Sequence, residues 1–293
     1  MTVSRFYSPQ SIAEATAILR QQSGCQVLAG GTDLLVQMRN GVKQPEYIVD
    51  IKEIPGIRDV TLTNQGLTLG AAAPAQSVTE RPDIAAAYPG LVEAIDMIGS
   101  TQIQGRCSVG GNLCNASPAA DTVPALIAVG AVCHVVGGEG VRQVRVEDFN
   151  TGPGENCLKR DELLISLFIP RPGVGSADAY LRFTPRTEMD IAVVGAGVSL
   201  SLDPMGTVSA ARVAIGAAAP TALLVEEAAA AIIGTTLEES ALAALAAAAG
   251  AAASPISDKR GSAGYRTKVV GVMARRAAQI ACDRAQQRQR RAH

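Results

Sequence analysis

Histidine is scarce: two occur in 293 residues, His134 and the terminal His293. A Ser-His-Asp or Cys-His machine would have to rest on His134 alone, in the apolar run VGAVCHVVGG with nothing beside it to orient the ring. A His-rich zinc site is excluded by the same shortage. His134 therefore reads as a structural residue of a strand. No C-x-x-C pair exists, and Cys107 and Cys114 stand seven positions apart with no second pair at ligand spacing, so no metal or cluster site is expected in this chain. The six cysteines, spread along a long chain, read as reduced, packed thiols rather than a disulfide framework.

A net charge of −1 gives no global attraction for nucleic acid or an anionic membrane. The basic tail with Arg284, Arg288, Arg290 and Arg291 reads as a solvated helix end. No uninterrupted apolar stretch is long enough for a membrane span, and the Ala-rich run at 241–253 is too short. MTVSRFYSPQSIAEA lacks the apolar core of a signal peptide, so a cytoplasmic protein is expected. Hydrophobic residues make up 47% and charged residues 18%, a globular balance, and the length suits two domains.

The first stretch reads β/α. SPQSIAEATAILRQQ has Ser8 and Pro9 as a helix start and apolar spacing at Ile12, Ala15, Ile18 and Leu19. CQVLAGG is a strand running into two glycines, TDLLVQMRNG a short helix with Thr32 as its cap, and PEYIVDI the next strand. GLTLGAAAP is a strand, YPGLVEAIDMIGS a helix, and DTVPALIAVGA a helix with Asp121 as cap and Pro124 in its first turn. VCHVVGG, RQVRVEDF and DELLISLFIP supply further strands, and IPRPGVGS (169–176) is the best domain boundary. The remainder is α+β. Three strand-like runs form an antiparallel meander, and helices around 222–233, 237–253 and 264–288 layer on one face of it, with Ala repeats as close-packing material.

Two glycine turns carry the chemistry. LAGGTDLL follows a strand, and SVGGNLCNASPAAD leads into a helix. Backbone N–H groups fanning from such turns bind anions without Lys or Arg. Two of them, both rich in hydroxyl and amide side chains, suggest a diphosphate held from two sides. The usual nucleotide motifs are missing. There is no G-K-[ST], and GAGVSL at Gly195 has Leu200 where a Rossmann fingerprint needs its third glycine, in mid-strand.

LAGGTDLLVQMRNG, followed some seventy residues later by QIQGRCSVGGNLCNASPAADTVPAL, resembles the medium, flavin-carrying subunit of the molybdenum hydroxylases (the xanthine dehydrogenase and carbon monoxide dehydrogenase family). DELLISLFIP, YLRFTPRTEMDIAVVGAGVSL and SDKRGSAGYRTKVVGVMARRA resemble later blocks of that family, so the likeness runs through nearly the whole chain. The resemblance implies an α+β architecture. A two-subdomain FAD-binding domain of the p-cresol methylhydroxylase type would occupy 1–174, with subdomains at about 1–56 and 57–174. A C-terminal α+β domain, a three-stranded antiparallel sheet with a helical layer, would occupy 175–293.

It also implies site residues. Ala29, Gly30, Gly31, Thr32, Asp33 and Leu34 would form the first pyrophosphate loop, and Ser108, Val109, Gly110, Gly111 and Asn112 the second. Ser117 would face the cofactor, Asp121 would hold ribose or ribityl hydroxyls, Leu164 would lie against the flavin by its backbone, and Arg182 stands where the family often has Lys near the ring. The family block before the second loop commonly reads Q-I-R-N-x-G-T-I-G-G-N. Here Gln104 replaces Arg, Gly105 replaces Asn, Cys107 replaces Gly and Ser108 replaces Thr, the last keeping its hydroxyl.

The function so implied is an electron-transfer subunit. Substrate would be oxidised at molybdopterin in a large partner subunit, and electrons would pass through [2Fe-2S] centres of a small subunit to FAD in this chain and on to an external acceptor. The assembly expected is a dimer of heterotrimers, without nucleic acid or an integral membrane segment. Two alternatives stand beside it: a self-sufficient flavin-dependent reductase or oxidase on the same fold, and a partner-binding scaffold that has lost its flavin.

Overall fold

The computed structural model describes residues 4–186 and 189–292; Met1, Thr2, Val3, Thr187, Glu188 and His293 of the runs read above lie outside the described residues. The chain opens with β1 (Arg5–Tyr7), α1 (Ile12–Gln21), β2 (Cys25–Leu28), α2 (Leu34–Arg39) and β3 (Tyr47–Asp50). The three strands form a parallel sheet in the order β1-β3-β2. The cap of α1 is Ser11, three residues beyond the expected start at Ser8. Its Oγ accepts the Glu14 N–H at 3.2 Å, and the Glu14 carboxylate accepts the Gln10 N–H at 2.8 Å, so the two side chains satisfy amides at the helix start reciprocally.

The next region runs β4 (Val60–Leu62), β5 (Gly66–Gly70), α3 (Gln76–Thr79), α4 (Pro82–Ala87), α5 (Pro89–Asp96), α6 (Thr101–Gln104), α7 (Val109–Cys114) and α8 (Thr122–Ala128). It continues with β6 (Val132–Gly137), β7 (Gly140–Arg145), the small hairpin β8 (Asn150–Gly152) and β9 (Glu155–Asn156), and β10 (Leu163–Pro170). Five strands make an antiparallel sheet in the order β4-β5-β10-β6-β7. Its inward positions (Leu67, Leu69, Leu167, Cys133, Val135) join Leu91, Ile95, Leu126 and Ile127 in one core that also takes in Val49 of the parallel sheet.

The last part contains β11 (Ser176–Phe183), β12 (Val194–Leu202), β13 (Val208–Gly216), β14 (Leu223–Leu224), α9 (Glu226–Ala230), α10 (Glu239–Ala252) and α11 (Ala263–Ala292). The expected meander is present, and the two-residue β14 adds a fourth strand at the β13 edge, in the order β11-β12-β13-β14. The alanines let α10 and α11 approach closely: a Cβ on Gly271 would lie 2.5 Å from the Ala246 carbonyl oxygen.

The other face of this sheet is not left to solvent. It receives α5 and α8 from the preceding region. Glycines make room: a Cβ on Gly197 would lie 2.7 Å from the Pro124 carbonyl oxygen, and one on Gly90 2.5 Å from the Ala179 Cα. The basic tail, read as a solvated helix end, in fact fastens this seam. Arg284 pairs with Glu93 and donates to the Asp178 carbonyl at 2.9 Å, and Arg288 donates to the Ala87 carbonyl at 2.8 Å. Seam contacts lie far from Arg284 and Arg288 in sequence, so helical charge patterning alone could not show them.

Candidate functional site

The first glycine turn is short because β2 and α2 are separated by five residues. Gly31 adopts φ +79°, a conformation that strains any residue with a Cβ. A Cβ on Gly30 would overlap the Arg106 carbonyl, so the two glycine turns meet backbone to backbone. Lys52 anchors the start of the turn: its Nζ donates to the Ala29 carbonyl at 3.1 Å and to Asp50 at 2.6 Å. The cap position of α2 is Asp33, one residue after the expected Thr32, and its side chain makes no capping bond. The N–H groups of Gly30, Gly31, Thr32, Asp33 and Leu34 have no hydrogen-bond acceptor among the described residues. Burial raises the Asp33 carboxyl above its ordinary value, against the pull of Lys43.

The second glycine pair is not a loop: Gly110 and Gly111 lie in the first turn of helix α7, which Ser108 caps, its Oγ accepting the Gly111 N–H at 3.0 Å. Gly110 owes its identity to packing, since a Cβ there would overlap the Ala71 carbonyl. The Gln104 that replaces the family Arg is buried and braces the approach to this turn by donating to the Asp96 carbonyl at 2.6 Å. The Cys107 carbonyl accepts the Ala75 N–H at 2.8 Å. Burial, with the Asp33 charge second, pushes the Cys107 thiol up to about 11, which keeps it protonated at neutral pH. Burial likewise pushes the Cys114 thiol up to about 12. These are inert thiols.

Between the turns lies a cleft of about 390 Å³. Residues 29–34, Ser108, residues 110–112 and Leu164 line it; Val109, Ser117, Asp121 and Arg182 do not. Leu164 stands at an irregularity in the β10–β6 ladder. The wall also includes residues not singled out in the sequence. Gln37 donates to Asn115 Oδ1 at 3.2 Å, while Lys43, Lys159 and Arg160 bring three cations, of which Lys159 pairs with Glu139 and neither Lys43 nor Arg160 has a carboxylate partner within 4.0 Å among the described residues. Gln37 lies one helical turn after Asp33, a spacing that could have indicated it. Lys159 and Arg160 come from a loop that only the tertiary fold brings here.

Asp121 occupies the cap position of α8, yet its carboxylate makes no capping bond. It accepts instead from the Tyr180 hydroxyl at 2.9 Å and from Arg182 at 2.8 Å, both on β11 across the seam. Arg182 also donates to the Met97 carbonyl at 3.2 Å. Burial raises the Asp121 carboxyl, opposed by Arg182 and by the Tyr180 hydrogen bond. Gly195, the glycine of the failed nucleotide motif, makes room for this group, since a Cβ there would lie 2.6 Å from the Tyr180 hydroxyl. Ser117 accepts the Ala119 N–H at 3.3 Å, and the neighbouring Pro118 carbonyl accepts the Ala217 N–H at 2.8 Å. His134 lies within hydrogen-bond reach of Ser166 (3.1 Å) and Gln143 (3.2 Å) on neighbouring strands.

This architecture and cleft define a two-part protein with a donor-lined cleft suited to an anionic ligand. A family described as the FAD binding domain in molybdopterin dehydrogenase matches residues 2–172, and one described as the CO dehydrogenase flavoprotein C-terminal domain matches residues 179–281. The carbon monoxide dehydrogenase medium chain of Hydrogenophaga pseudoflava is 32% identical over 280 residues, 95% of this chain and 97% of that protein. The xanthine dehydrogenase FAD-binding subunit of Escherichia coli O157:H7 is 32% identical over 220 residues, 74% of this chain and 75% of that protein. The solved carbon monoxide dehydrogenase of H. pseudoflava superposes with a TM-score of 0.92 at 33% identity, covering 96% of this chain and 98% of that one. The chain belongs to the FAD-binding medium-subunit family of the molybdenum hydroxylases, and its cofactor is FAD.

The cleft suits that cofactor. Five consecutive amides without an acceptor line the cleft and form a donor surface of the kind that takes a diphosphate. Three cations in the wall favour the same charge.

Proposed function

We propose that the cleft holds FAD with its diphosphate between the two glycine turns, and that this chain is the electron-transfer flavoprotein subunit of a molybdenum hydroxylase. The free amides of residues 30–34 carry this reading, because they line the cleft at the start of α2 as adjacent N–H donors that a diphosphate would accept. Ser108 and residues 110–112 close the diphosphate from the second side, and the Leu164 backbone meets the flavin. Ser117, Asp121 and Arg182 lie outside the cleft wall, so they meet the sugar hydroxyls or the ring end only where the cofactor reaches past the cleft. Asp121 already holds Tyr180 and Arg182, so any further contact uses its remaining lone pairs.

When bound, FAD supplies an acceptor for electrons from [2Fe-2S] centres and a donor to an external acceptor. The chain's own residues bind, orient and shield. The cleft acids are not arranged for substrate chemistry: Glu162 is held by Arg142 at 2.7 Å, and Asp33 sits against the glycine turn. Relatives whose names carry carbon monoxide and xanthine are both 32% identical to this chain over their matched lengths, which supports substrate choice residing in another polypeptide. The partners so inferred are a small [2Fe-2S] subunit and a large molybdopterin subunit, assembled as a dimer of heterotrimers in the cytoplasm. Among the described residues, no helix is long and apolar enough to cross a membrane.

The test is anaerobic bleaching of the flavin absorbance by candidate aldehydes, purines and N-heterocycles, with and without co-expressed partner subunits. Bleaching should require the partners. Bleaching by the lone chain at the rate of the full complex would instead establish a self-sufficient reductase or oxidase.

A further inference from the structure

Two asparagines face the cleft from α7 and the turn after it, and each has its side-chain carbonyl already occupied. The Thr122 hydroxyl donates to Asn112 Oδ1 at 2.6 Å, and Gln37 donates to Asn115 Oδ1 at 3.2 Å. An amide whose oxygen is engaged has its NH2 group as the remaining polar end. Neither NH2 group has an acceptor among the described residues, while both asparagines line the cleft. Together with the free amides of the first turn, this side of the wall presents donors. From this geometry we infer that Thr122 and Gln37 are positioning residues that lock Asn112 and Asn115 as donors toward the diphosphate of FAD, an inference that rests on the FAD reading above.

Thr122 is the sharper case. It is fully buried, does not line the cleft and makes this one side-chain hydrogen bond among the described residues, so its hydroxyl acts on the cleft only through Asn112. It also follows Asp121, which Tyr180 and Arg182 hold from across the seam. The C-terminal sheet thereby fixes the helix start from which Thr122 reaches Asn112. Without the Thr122 hydroxyl, the Asn112 carbonyl loses its partner and the amide is free to flip an acceptor toward the diphosphate.

Thr122→Val keeps the shape and removes the hydroxyl, whereas Thr122→Ser keeps the hydroxyl and leaves a small void. If the hydroxyl sets the amide, Val should weaken FAD binding by about three- to tenfold, the size of one hydrogen bond, and Ser should bind as wild type does. If Thr122 only fills space, Ser should be the weaker binder. Asn112→Asp, which replaces the donor end by an acceptor, should lose FAD more completely than Asn112→Ala. The measurement is the FAD dissociation constant of the full chain by flavin fluorescence, with melting of the flavin-free protein followed in parallel. Wild-type affinity in Thr122→Val, or full affinity in Asn112→Asp, overturns the positioning role while leaving the FAD reading intact. Failure of the wild-type chain to bind FAD overturns both.

Discussion

Gly30 and Arg106 touch backbone to backbone: a Cβ on Gly30 would overlap the Arg106 carbonyl oxygen and lie 3.0 Å from the Cys107 amide nitrogen. Residues 76 positions apart thus set the width of the cleft, and neither glycine turn has its shape without the other. Gly30→Ala should wedge the turns apart. The expected outcome is loss of most bound FAD with about 1–3 kcal/mol lower stability, read from flavin content and urea denaturation. Wild-type flavin content in that variant would show that the turns need not touch.

Gly110→Ala separates packing from cofactor contact. Its Cβ would run into the Ala71 carbonyl, part of the backbone that follows β5, rather than into the cleft. The flavin-free protein should therefore lose about 1–3 kcal/mol. Gly111→Ala instead meets the Ser108 Oγ at 2.9 Å and should cost about 1 kcal/mol through the cap. A Gly110→Ala chain as stable as wild type, yet unable to retain FAD, would reverse this assignment.

Arg182 and Asp121 are both buried in the seam, with side-chain exposures of 7% and 11%. Arg182→Met strands the Asp121 carboxylate and should cost about 3–5 kcal/mol, while pairing it with Asp121→Asn should restore a large part of that loss. A double-mutant cycle by chemical denaturation checks this. Strict additivity would mean that the pair contributes no coupling.

Asp178 gives the seam a pH dependence. Its carboxylate accepts the Leu91 N–H at 2.8 Å, with the Arg288 and Arg284 cations nearby, yet burial dominates and pushes the carboxyl up to about 6. The unfolded value is about 3.9, so the folded state holds the proton more tightly. This contribution to stability is fully present below about pH 4 and is lost as pH rises through about 6, by roughly 3 kcal/mol at most. Asp178→Asn keeps an acceptor for Leu91 and removes the charge. Relative to wild type it should gain stability between about pH 4 and pH 7, seen as a rising difference in denaturation midpoints. A pH-independent difference would place the folded carboxyl near its ordinary value.

The elements read most easily from sequence were those whose periodicity and turn residues agreed, such as the meander strands and the last helix, read at 264–288 and observed at 263–292. The glycine pairs were legible because two of them occur in hydroxyl- and amide-rich surroundings, one after a strand and one at a helix start. Cap identities shifted, Ser11 for Ser8 and Asp33 for Thr32, because neighbouring cap-forming residues compete and only the backbone decides. The seam was not legible. Asp121 looks like a helix cap in sequence, and its bonds to Tyr180 and Arg182 depend on a sheet some sixty residues away. The same holds for Thr122 and for Arg160, whose roles depend on which wall faces them rather than on any local pattern.

The most direct test of the account is titration of the flavin-free chain with FAD and with FMN, followed by fluorescence. A cleft whose free amides are built for a diphosphate should bind one FAD per chain and should bind FMN, a monophosphate, far more weakly. Equal affinity for the two, or no saturable binding of FAD, would contradict a diphosphate seat between Gly30 and Ser108.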